Sequence, residues 1–333
     1  MRITVFGAGA IGGHLAARLA HAGLDVSVVA RGAQLEAIQK NGLRFINPVQ
    51  DFTVRVRARD SAAALGPQDL VISTVKAHSL PAATDSLRAL LGPDTPVIYA
   101  VNGIPWWYFH KAQGAQAGQQ LPRLDPGARL WNDVGVDRAI GCVVQSANEV
   151  TAPGVVENRS ADNRFILGEP AGDVSPRLAR IVEVLQRAVP EIQATADIRH
   201  EIWSKLLLNM STSPLACLTL STGRTIATEP ALQDLFRRTM AEGAQVASAL
   251  GVAVATDFEA RFVRMRRQSH RSSMLQDLLA GRPLEIDGQL AAVQDVARSL
   301  GVATPTFDLL LALLVQRARE SGLYPSQPPA QGA

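Results

Sequence analysis

A glycine-rich segment near the N-terminus has the residue types and the spacing that bind a phosphate. Its pattern is G-x-G-x-x-G, formed by Gly7, Ala8, Gly9, Ala10, Ile11 and Gly12. It follows a short apolar run, Arg2–Phe6, that is typical of a buried strand. In such a place the first glycine permits a tight turn, the second lets the backbone approach a pyrophosphate, and the third lets helix and strand pack closely. The segment predicts a dinucleotide-binding turn, and a simple glycine turn is the alternative.

The residue after the second predicted strand, Asp25–Ala30, bears on the choice of dinucleotide. A site for NAD ends this strand with Asp or Glu, which holds the ribose hydroxyls. Here the strand is followed by Arg31, and the nearby acid, Asp25, lies at its start. A guanidinium group can instead pair with a 2′-phosphate. The sequence therefore predicts NADPH or NADP+ as the cofactor, unless Arg31 is simply a solvated residue at a strand end.

Three polar residues, Lys205, Asn209 and Ser213, recur every four positions in a segment that is otherwise rich in Ile, Trp, Leu and Met. On a helix this spacing places them on one face. A hydride transfer to a ketone leaves charge on the oxygen, and an ammonium group can stabilise and then protonate that oxygen. The residues alone leave an alternative open. Glu201 and Lys205 would form an ion pair on the surface, and the Asn209 side chain would form hydrogen bonds with nearby residues.

Predicted strands and helices alternate through the first part of the chain. After the two strands above, the further predicted strands are Leu70–Thr74, Pro96–Val101, Ile140–Gln145, Val155–Glu157, Arg164–Leu167 and a short one near Ile192. The predicted helices between them are His14–Ala22, Leu80–Leu91 and Pro176–Ala188. Such alternation predicts an α/β fold of the Rossmann type, with a doubly wound parallel sheet. We assign residues 1–194 to this NADP-binding domain.

Beyond Asp197 only helical periodicities remain, which predicts an all-α C-terminal domain over residues 195–333. Its predicted helices are Ile198–Leu218, Pro230–Leu250, Asp257–Arg267, Gln289–Leu300 and Thr306–Arg319. We expect this domain to carry the substrate and the catalytic residues.

The alternating pattern fails over residues 104–130, where an aromatic cluster is followed by a stretch rich in Gln, Gly and Pro. The cluster consists of Trp106, Trp107, Tyr108 and Phe109. Its length and composition predict a long loop or insertion. The aromatic side chains either line a pocket or pack within the insertion, and we favour packing.

Several short segments, taken together, resemble the ketopantoate reductase family (2-dehydropantoate 2-reductases) over nearly the whole chain. Besides the glycine turn, they are Val75-Lys76-Ala77, Asn102-Gly103, WSKLLLN at 203–209, SSMLQD at 272–277 and EID at 285–287. The resemblance implies NADPH-dependent reduction of a 2-oxo acid to its 2-hydroxy acid. The reaction that it indicates first is 2-dehydropantoate to pantoate, in pantothenate biosynthesis.

The same resemblance implies roles for individual residues. Lys205 would be the catalytic proton donor and Glu285 would support it, whereas the residues alone also allow Glu285 to be a helix-capping acid. Lys76 would lie near the nicotinamide end of the cofactor. Asn102 would contact both cofactor and substrate, although Asn102-Gly103 is also an ordinary turn sequence. The positions implied on the substrate side are Asn102, Asn209, Ser213 and Ser273.

Two departures from the family pattern affect the substrate side chain. Ser213 stands where many relatives carry a second Asn, and the aromatic insertion is absent from shorter members. Two other function classes remain as alternatives. A β-hydroxyacid dehydrogenase would share the Lys-x-x-x-Asn spacing, but it lacks a counterpart of the SSM and EID segments. A non-catalytic NADPH-sensing protein would not need Lys205, Glu285 and Ser273 together.

The composition excludes several other classes. The chain has 333 residues, 47% hydrophobic and 19% charged, which suits two folded domains. A formal charge of +3 gives no case for binding nucleic acid or a membrane surface. Neither the two cysteines nor the six histidines have metal-ligand spacing, and we expect buried thiols and no metal. No signal peptide or transmembrane segment is evident, which predicts a cytoplasmic protein whose partner is a small 2-oxo acid. A second copy of the chain, forming a homodimer, is a further candidate partner.

Overall fold

The computed structural model describes residues 1–160, 162–267 and 271–325. The chain forms two compact units. The N-terminal unit comprises Met1–Val101 and Pro105–Ile198, and the C-terminal unit comprises Asn102–Ile104 and the chain from Arg199 onward. The second unit therefore begins a few residues later than residue 195 and also contains a short turn that lies far away in sequence. The turn belongs to it because the N–H of Ile104 donates to the carbonyl of Gly288 at 2.8 Å.

The strands of the described residues all lie in the N-terminal unit. They are β1 (Arg2–Phe6), β2 (Asp25–Val29), β3 (Leu43–Ile46), β4 (Asp51–Val54), β5 (Arg57–Arg59), β6 (Leu70–Ser73), β7 (Val97–Tyr99), β8 (Ala139–Gln145), β9 (Asn148–Ala152), β10 (Val155–Asn158), β11 (Arg164–Gly168) and β12 (Ile192–Thr195). The helices of this unit are α1 (Ala10–His21), α2 (Gly32–Asn41), α3 (Thr84–Arg88) and α4 (Pro176–Gln186).

The main sheet has eight strands in the order β12-β11-β8-β7-β6-β1-β2-β5. Its neighbouring strands pair in parallel, except that β8 and β11 are antiparallel. Strands such as β6 are buried along their whole length, as expected when helices cover both faces of a parallel sheet. The Rossmann-type fold class is confirmed, and the antiparallel pair is an addition that the sequence did not indicate.

A second sheet, in the order β4-β3-β10-β9, was not predicted. It covers α1, and a Cβ atom on Gly13 of that helix would lie 2.5 Å from a methyl group of Val156 in β10. Three of its four strands lie outside every predicted strand, and they are short and partly exposed. For example, β4 alternates between exposed and half-buried residues over only four positions. Such a pattern carries little hydrophobic signal.

Two predicted helices differ from the observed ones. Helix α1 begins at Ala10 rather than His14, because the last three residues of the glycine motif already belong to its first turn. The predicted helix Leu80–Leu91 is instead a pair of 3₁₀ turns followed by the short α3. Pro81 lies at the start of the second turn, where it has no N–H to continue a hydrogen-bonded helix.

The aromatic insertion packs within the N-terminal unit, as favoured from the sequence. The four side chains of the cluster are at most 2% exposed. Trp106 contacts Tyr99 edge to face, with ring centroids 5.4 Å apart. A Cβ atom on Gly141 of β8 would lie 2.7 Å from the Trp107 ring, so this glycine lets the indole lie against the sheet. The insertion thus extends the core of the unit.

The C-terminal unit is helical throughout the described residues, which confirms the predicted all-α class. Its helices are α5 (Ile198–Thr219), whose first residue belongs to the N-terminal unit, α6 (Gly223–Ile226), α7 (Pro230–Ala249), α8 (Phe258–Arg266), α9 (Ser273–Leu279), α10 (Ala292–Ser299) and α11 (Pro305–Glu320). A π-helical segment, Asp287–Ala291, leads directly into α10. Helices α5 and α7 approach closely at Gly243, where a Cβ atom would lie 2.5 Å from the sulfur of Met210.

Both cysteines, Cys142 and Cys217, are buried free thiols, as predicted. Among the residues that the structure describes, no helix is both long and apolar enough to cross a membrane. The same residues contain no cluster of three or more His, Cys, Asp or Glu side chains suited to a metal ion.

The side chain of His14, an ionisable residue of α1, is fully buried in the N-terminal unit. Its Nδ1 lies 2.7 Å from the amide oxygen of Asn148, and its ring contacts Phe45 edge to face at 5.0 Å. Burial lowers the pKa of His14 from 6.5 to about 4, and the nearby Arg18 guanidinium acts in the same direction. The imidazole is therefore neutral in the folded protein near neutral pH.

We expect this burial to make stability depend on pH. Because the pKa of His14 is about 4 in the folded state and about 6.5 in the unfolded state, only the unfolded state gains a proton as the pH falls between these values. The contribution is fully present above about pH 6.5, and roughly 3 kcal/mol of it is lost by about pH 4. Urea unfolding of the unmodified protein and of His14→Gln across this range measures the effect.

The variant should lose less stability than the unmodified protein on acidification. His21→Gln is the control, because His21 is an exposed ring stacked on Phe52 at 3.9 Å. That variant should keep the pH dependence of the unmodified protein. Equal acid sensitivity in all three proteins would show that His14 is not the group responsible.

Candidate active site

The glycine turn links β1 to α1 at the carboxyl end of the main sheet, and its geometry explains two of its glycines. A Cβ atom on Gly12 would lie 1.9 Å from the carbonyl oxygen of Gly7, so no larger residue fits there. A Cβ atom on Gly9 would meet no atom within 4 Å, which leaves this side of the turn open to a ligand. The turn is fixed from outside, because Thr74 donates to Gly7 O at 2.7 Å and Gln34 donates to Ala8 O at 2.7 Å.

The first turn of α1 adds backbone donors beside the open face of the glycine turn. Its leading N–H groups have no partner within the helix, and the helix dipole places positive potential there. Ala10 and Ile11 lie in this turn, and Gly9 is the residue that precedes it. These groups suit the pyrophosphate of a dinucleotide.

Arg31 lies two residues after the end of β2, at the N-cap of α2, and its side chain is exposed. It borders an open cavity of about 480 Å³, lined also by Gly32, Leu35, Glu36, Asp60 and Ser61. Among the described residues Arg31 forms no ion pair, although two carboxylates line the same cavity. Lys76 follows β6, the neighbour of β1 on the other side, so the predicted cofactor residues follow adjacent parallel strands.

A second cluster of polar side chains lies within the C-terminal unit, and it joins three of the predicted site residues. Lys205, half-buried on α5, donates from Nζ to Oδ1 of Asn102 at 2.6 Å. The amide nitrogen of Asn102 donates in turn to Oε2 of Glu285 at 3.3 Å. Glu285 is only 8% exposed and directly precedes the helix that contains the π-helical segment. Its carboxylate takes part in this side-chain network, and within the described part of the chain it accepts no backbone N–H.

The turn that carries Asn102 is held by backbone contacts to the π-helical segment. Gly103 has a φ angle of +84°, and a Cβ atom there would lie 2.0 Å from the carbonyl oxygen of Gly288. That carbonyl accepts the N–H of Ile104 at 2.8 Å. A π-helical turn changes which carbonyls are used within the helix, and here Gly288 O bonds the turn. Asn102-Gly103 is therefore more than an ordinary reverse turn, because its glycine permits the contact that positions Asn102.

Asn209 also joins this cluster, through a residue that the sequence did not indicate as part of the site. Its amide nitrogen donates to Oε1 of Gln289 at 3.2 Å, and Nε2 of Gln289 donates to Oε2 of Glu285 at 3.4 Å. Gln289 was considered only as the start of a predicted helix. The available signal was its spacing of four residues from Glu285, the same spacing that relates Lys205 to Asn209.

The structure does not bring two other predicted residues into this network. Ser213 is buried one turn beyond Asn209, and no hydrogen bond joins it to the cluster in the described part of the chain. Ser273 is exposed at the first position of α9, where the cap of the helix is Ser272, whose hydroxyl accepts the N–H of Leu275 at 3.3 Å. Their assignment to the substrate side remains a prediction.

The arrangement combines a positive group with an ordered set of hydrogen bonds. The ammonium of Lys205 can stabilise and protonate an oxygen that becomes negatively charged. Asn102 is bonded to Lys205 through its oxygen and to Glu285 through its nitrogen, so its amide plane is fixed from both ends. These groups are suited to reducing a carbonyl when a hydride donor is supplied.

Family models match both units of the chain. The model described as "Ketopantoate reductase PanE/ApbA" matches residues 3–171, and "Ketopantoate reductase PanE/ApbA C terminal" matches residues 197–318. A 2-dehydropantoate 2-reductase from Mesorhizobium japonicum is 45% identical over 326 residues, covering 97% of this chain and 100% of the relative.

Solved structures agree with this match. A protein from Ralstonia solanacearum MolK2, assigned as a ketopantoate reductase, has a TM-score of 0.91 at 40% identity and covers 97% of this chain and 99% of its own. D-mandelate dehydrogenase with NADH and anilino(oxo)acetate has a TM-score of 0.79 at 18% identity, covering 97% of this chain and 100% of its own. That second likeness shows the fold alone, and the fold does not decide between NADH and NADPH. The two family models and the relative at 45% identity establish that the chain belongs to the ketopantoate reductase family.

Proposed function

We propose that the protein reduces 2-dehydropantoate to pantoate with NADPH, as a step of pantothenate biosynthesis. The observation that carries the proposal is the hydrogen-bonded series from Lys205 through Asn102 to Glu285. It joins three residues that family resemblance assigns to the chemistry, from three separate parts of the sequence. The match to a 2-dehydropantoate 2-reductase over 97% of the chain supports the choice of substrate.

The residues of this hydrogen-bonded series have different tasks in the reduction. NADPH, when bound, supplies the hydride that the carbonyl carbon accepts. Lys205 holds the carbonyl oxygen and donates the proton that completes the hydroxyl group. Asn102 positions the ammonium, and Glu285 fixes Asn102 from the other side. Glu285 is an organiser rather than an acidifying group, since a nearby carboxylate favours the charged form of a lysine.

The remaining predicted residues divide between cofactor and substrate. We assign the pyrophosphate to the glycine turn, the 2′-phosphate to Arg31 and the nicotinamide end to Lys76 and Asn102. The open face at Gly9 and the exposed position of Arg31 beside a cavity support this assignment. On the substrate side we assign the carboxylate to Ser273 and further contacts to Asn209 and Ser213.

The overall test measures turnover of a panel of 2-oxo acids. The rate of each reaction is monitored by the loss of NADPH absorbance. Among the panel, 2-dehydropantoate should give the highest kcat/KM. A protein that bound NADPH tightly but turned over no 2-oxo acid would instead be a cofactor sensor. A different best substrate would leave the chemistry in place and change the assigned pathway.

Cofactor preference should depend on Arg31. A charge-assisted bond to a phosphate contributes about 1.5–3 kcal/mol, so Arg31→Ala should narrow the preference for NADPH over NADH by roughly tenfold or more. The measurement is kcat/KM with each cofactor. Arg180→Ala, an exposed arginine on α4, is the control and should keep the preference. If the unmodified protein used both cofactors equally, the role of Arg31 would have no basis.

Turnover should depend on Lys205. Lys205→Met keeps most of the aliphatic length but removes the ammonium, and we expect kcat to fall by about 10²-fold or more because general acid catalysis alone contributes that much. NADPH affinity, measured by fluorescence titration, should change little. Lys40→Met, at an exposed position of α2, should retain full activity. A folded Lys205→Met variant with normal turnover would assign the proton to another residue, for which Lys76 is the candidate.

Affinity for the 2-oxo acid should depend on Ser273. A hydrogen bond to a carboxylate contributes about 1.5–3 kcal/mol, so Ser273→Ala should raise KM for the acid by roughly tenfold while NADPH affinity stays unchanged. Its neighbour offers a matched comparison, because Ser272 caps α9. Ser272→Ala should lower stability by about 1 kcal/mol and have the smaller effect on KM. Loss of NADPH affinity in Ser273→Ala would place this serine with the cofactor.

A further inference from the structure

We infer that Gln289 is a positioning residue of the reductase site, which holds Asn209 and Glu285 in one fixed arrangement. This inference rests on the proposed function, because Asn209 and Glu285 matter to turnover only if the site reduces a 2-oxo acid. Gln289 itself carries no group that exchanges a proton or contacts the reacting carbonyl in this role. It acts through its two neighbours.

Gln289 is deeply buried. The side chain of Gln289 is only 1% exposed, so its amide cannot exchange its protein partners for bulk water. A buried amide needs both a donor and an acceptor partner, and each unmet group is costly. Gln289 meets this need with Glu285 and Asn209, at 3.4 and 3.2 Å. Gln289 is therefore the fourth amide or carboxylate residue of the site, beside Asn102, Asn209 and Glu285, and its side chain is fully enclosed.

The hydrogen bonds of Gln289 have a fixed direction. An ionised carboxylate only accepts hydrogen bonds, so the end of the Gln289 amide that faces Glu285 must be the nitrogen. The oxygen of that amide then faces Asn209, which must present its own nitrogen. One charged group thus sets the orientation of two amides in sequence. Within this series, Gln289 is the residue that determines whether the nitrogen or the oxygen of the Asn209 amide faces the network.

Two amides of the network converge on one oxygen of Glu285. Oε2 of Glu285 receives the amide nitrogen of Asn102 as well as that of Gln289. Asn102 lies on the turn held by Gly288, and Gln289 is the next residue along the π-helical segment. The same short segment therefore positions Asn102 through its backbone and Glu285 through its side chain. Asn209 is linked to the proposed proton donor through this segment, in addition to sharing α5 with it.

The test compares three substitutions in the full-length protein. Gln289→Met keeps the approximate volume but removes both hydrogen bonds. Gln289→Glu keeps the shape but presents a carboxylate to Glu285 in place of a donor. Gln294→Met is the matched control on α10, where it breaks a bond of 2.7 Å to Asp308 outside the network. Thermal unfolding and NADPH affinity are measured for each, so that a folding defect is recognised.

We expect Gln289→Met to lower kcat/KM for 2-dehydropantoate by about tenfold, while NADPH affinity changes less than about twofold. Affinity for 2-dehydropantoate, measured by calorimetry on NADP+-saturated protein that cannot turn over, should fall by a similar factor. Gln289→Glu should lose more activity than Gln289→Met, because like charges would face each other. A residue that mattered only by its shape would give the reverse order. Gln294→Met should match the unmodified protein.

A double-mutant cycle with Asn209→Ala separates action through Asn209 from general loosening. If Gln289 acts through Asn209, adding Gln289→Met to Asn209→Ala should cost clearly less than it costs alone. Fully additive losses, or equal losses in Gln294→Met, would overturn the inference. If the unmodified protein turns over 2-dehydropantoate but Gln289→Met is unaffected, only this inference fails. If the unmodified protein turns over no 2-oxo acid, the proposed function fails and the inference falls with it.

Discussion

Glu285 is a carboxylate with little access to solvent, and a buried carboxylate must be met by hydrogen-bond donors or by a cation. Here the donors are two amides, from Asn102 and Gln289. The oxygens of those amides are then left to accept, one from Lys205 and the other from Asn209. The direction of every hydrogen bond in the network follows from the single negative charge. Residues separated by more than one hundred positions in sequence thus share one geometric requirement.

That requirement explains local features that would otherwise be unrelated. The backbone at Gly103 has a positive φ angle and approaches Gly288 more closely than any side chain would permit. The π-helical turn at this place presents a carbonyl to Ile104. The π-helical turn interrupts the regular hydrogen bonding of a helix, and such turns are frequent at functional sites. The glycine turn after β1 follows the same logic, since Gly12 is needed for close backbone packing and Gly9 leaves space beside the backbone.

Much of the fold and of the candidate site could be predicted from the sequence. The features that were missed have physical causes. Local patterns identified the buried strands, the glycine turn and α5, because their signals lie within a few neighbouring residues. The second sheet was missed because its strands are short and half-exposed. The place of Asn102 in the C-terminal unit depends on a contact between Ile104 and Gly288, which no local pattern records. Gln289 was missed for the same reason, since its partner Asn209 lies eighty positions away.

The proposed proton donor, Lys205, lies on a long helix rather than on a loop. The positions of the site side chains therefore depend on how that helix packs. Side chains on a packed helix have few alternative positions, so their spacing is fixed to within a fraction of an ångström by the packing beneath them. Helix α5 packs against α7 at Gly243, where the sulfur of Met210 leaves no space for even a methyl group. Met210 directly follows Asn209. A larger residue at position 243 would therefore force the side chains of Met210 and Leu207 to shift, and both belong to α5, within two residues of Lys205 or Asn209 in sequence.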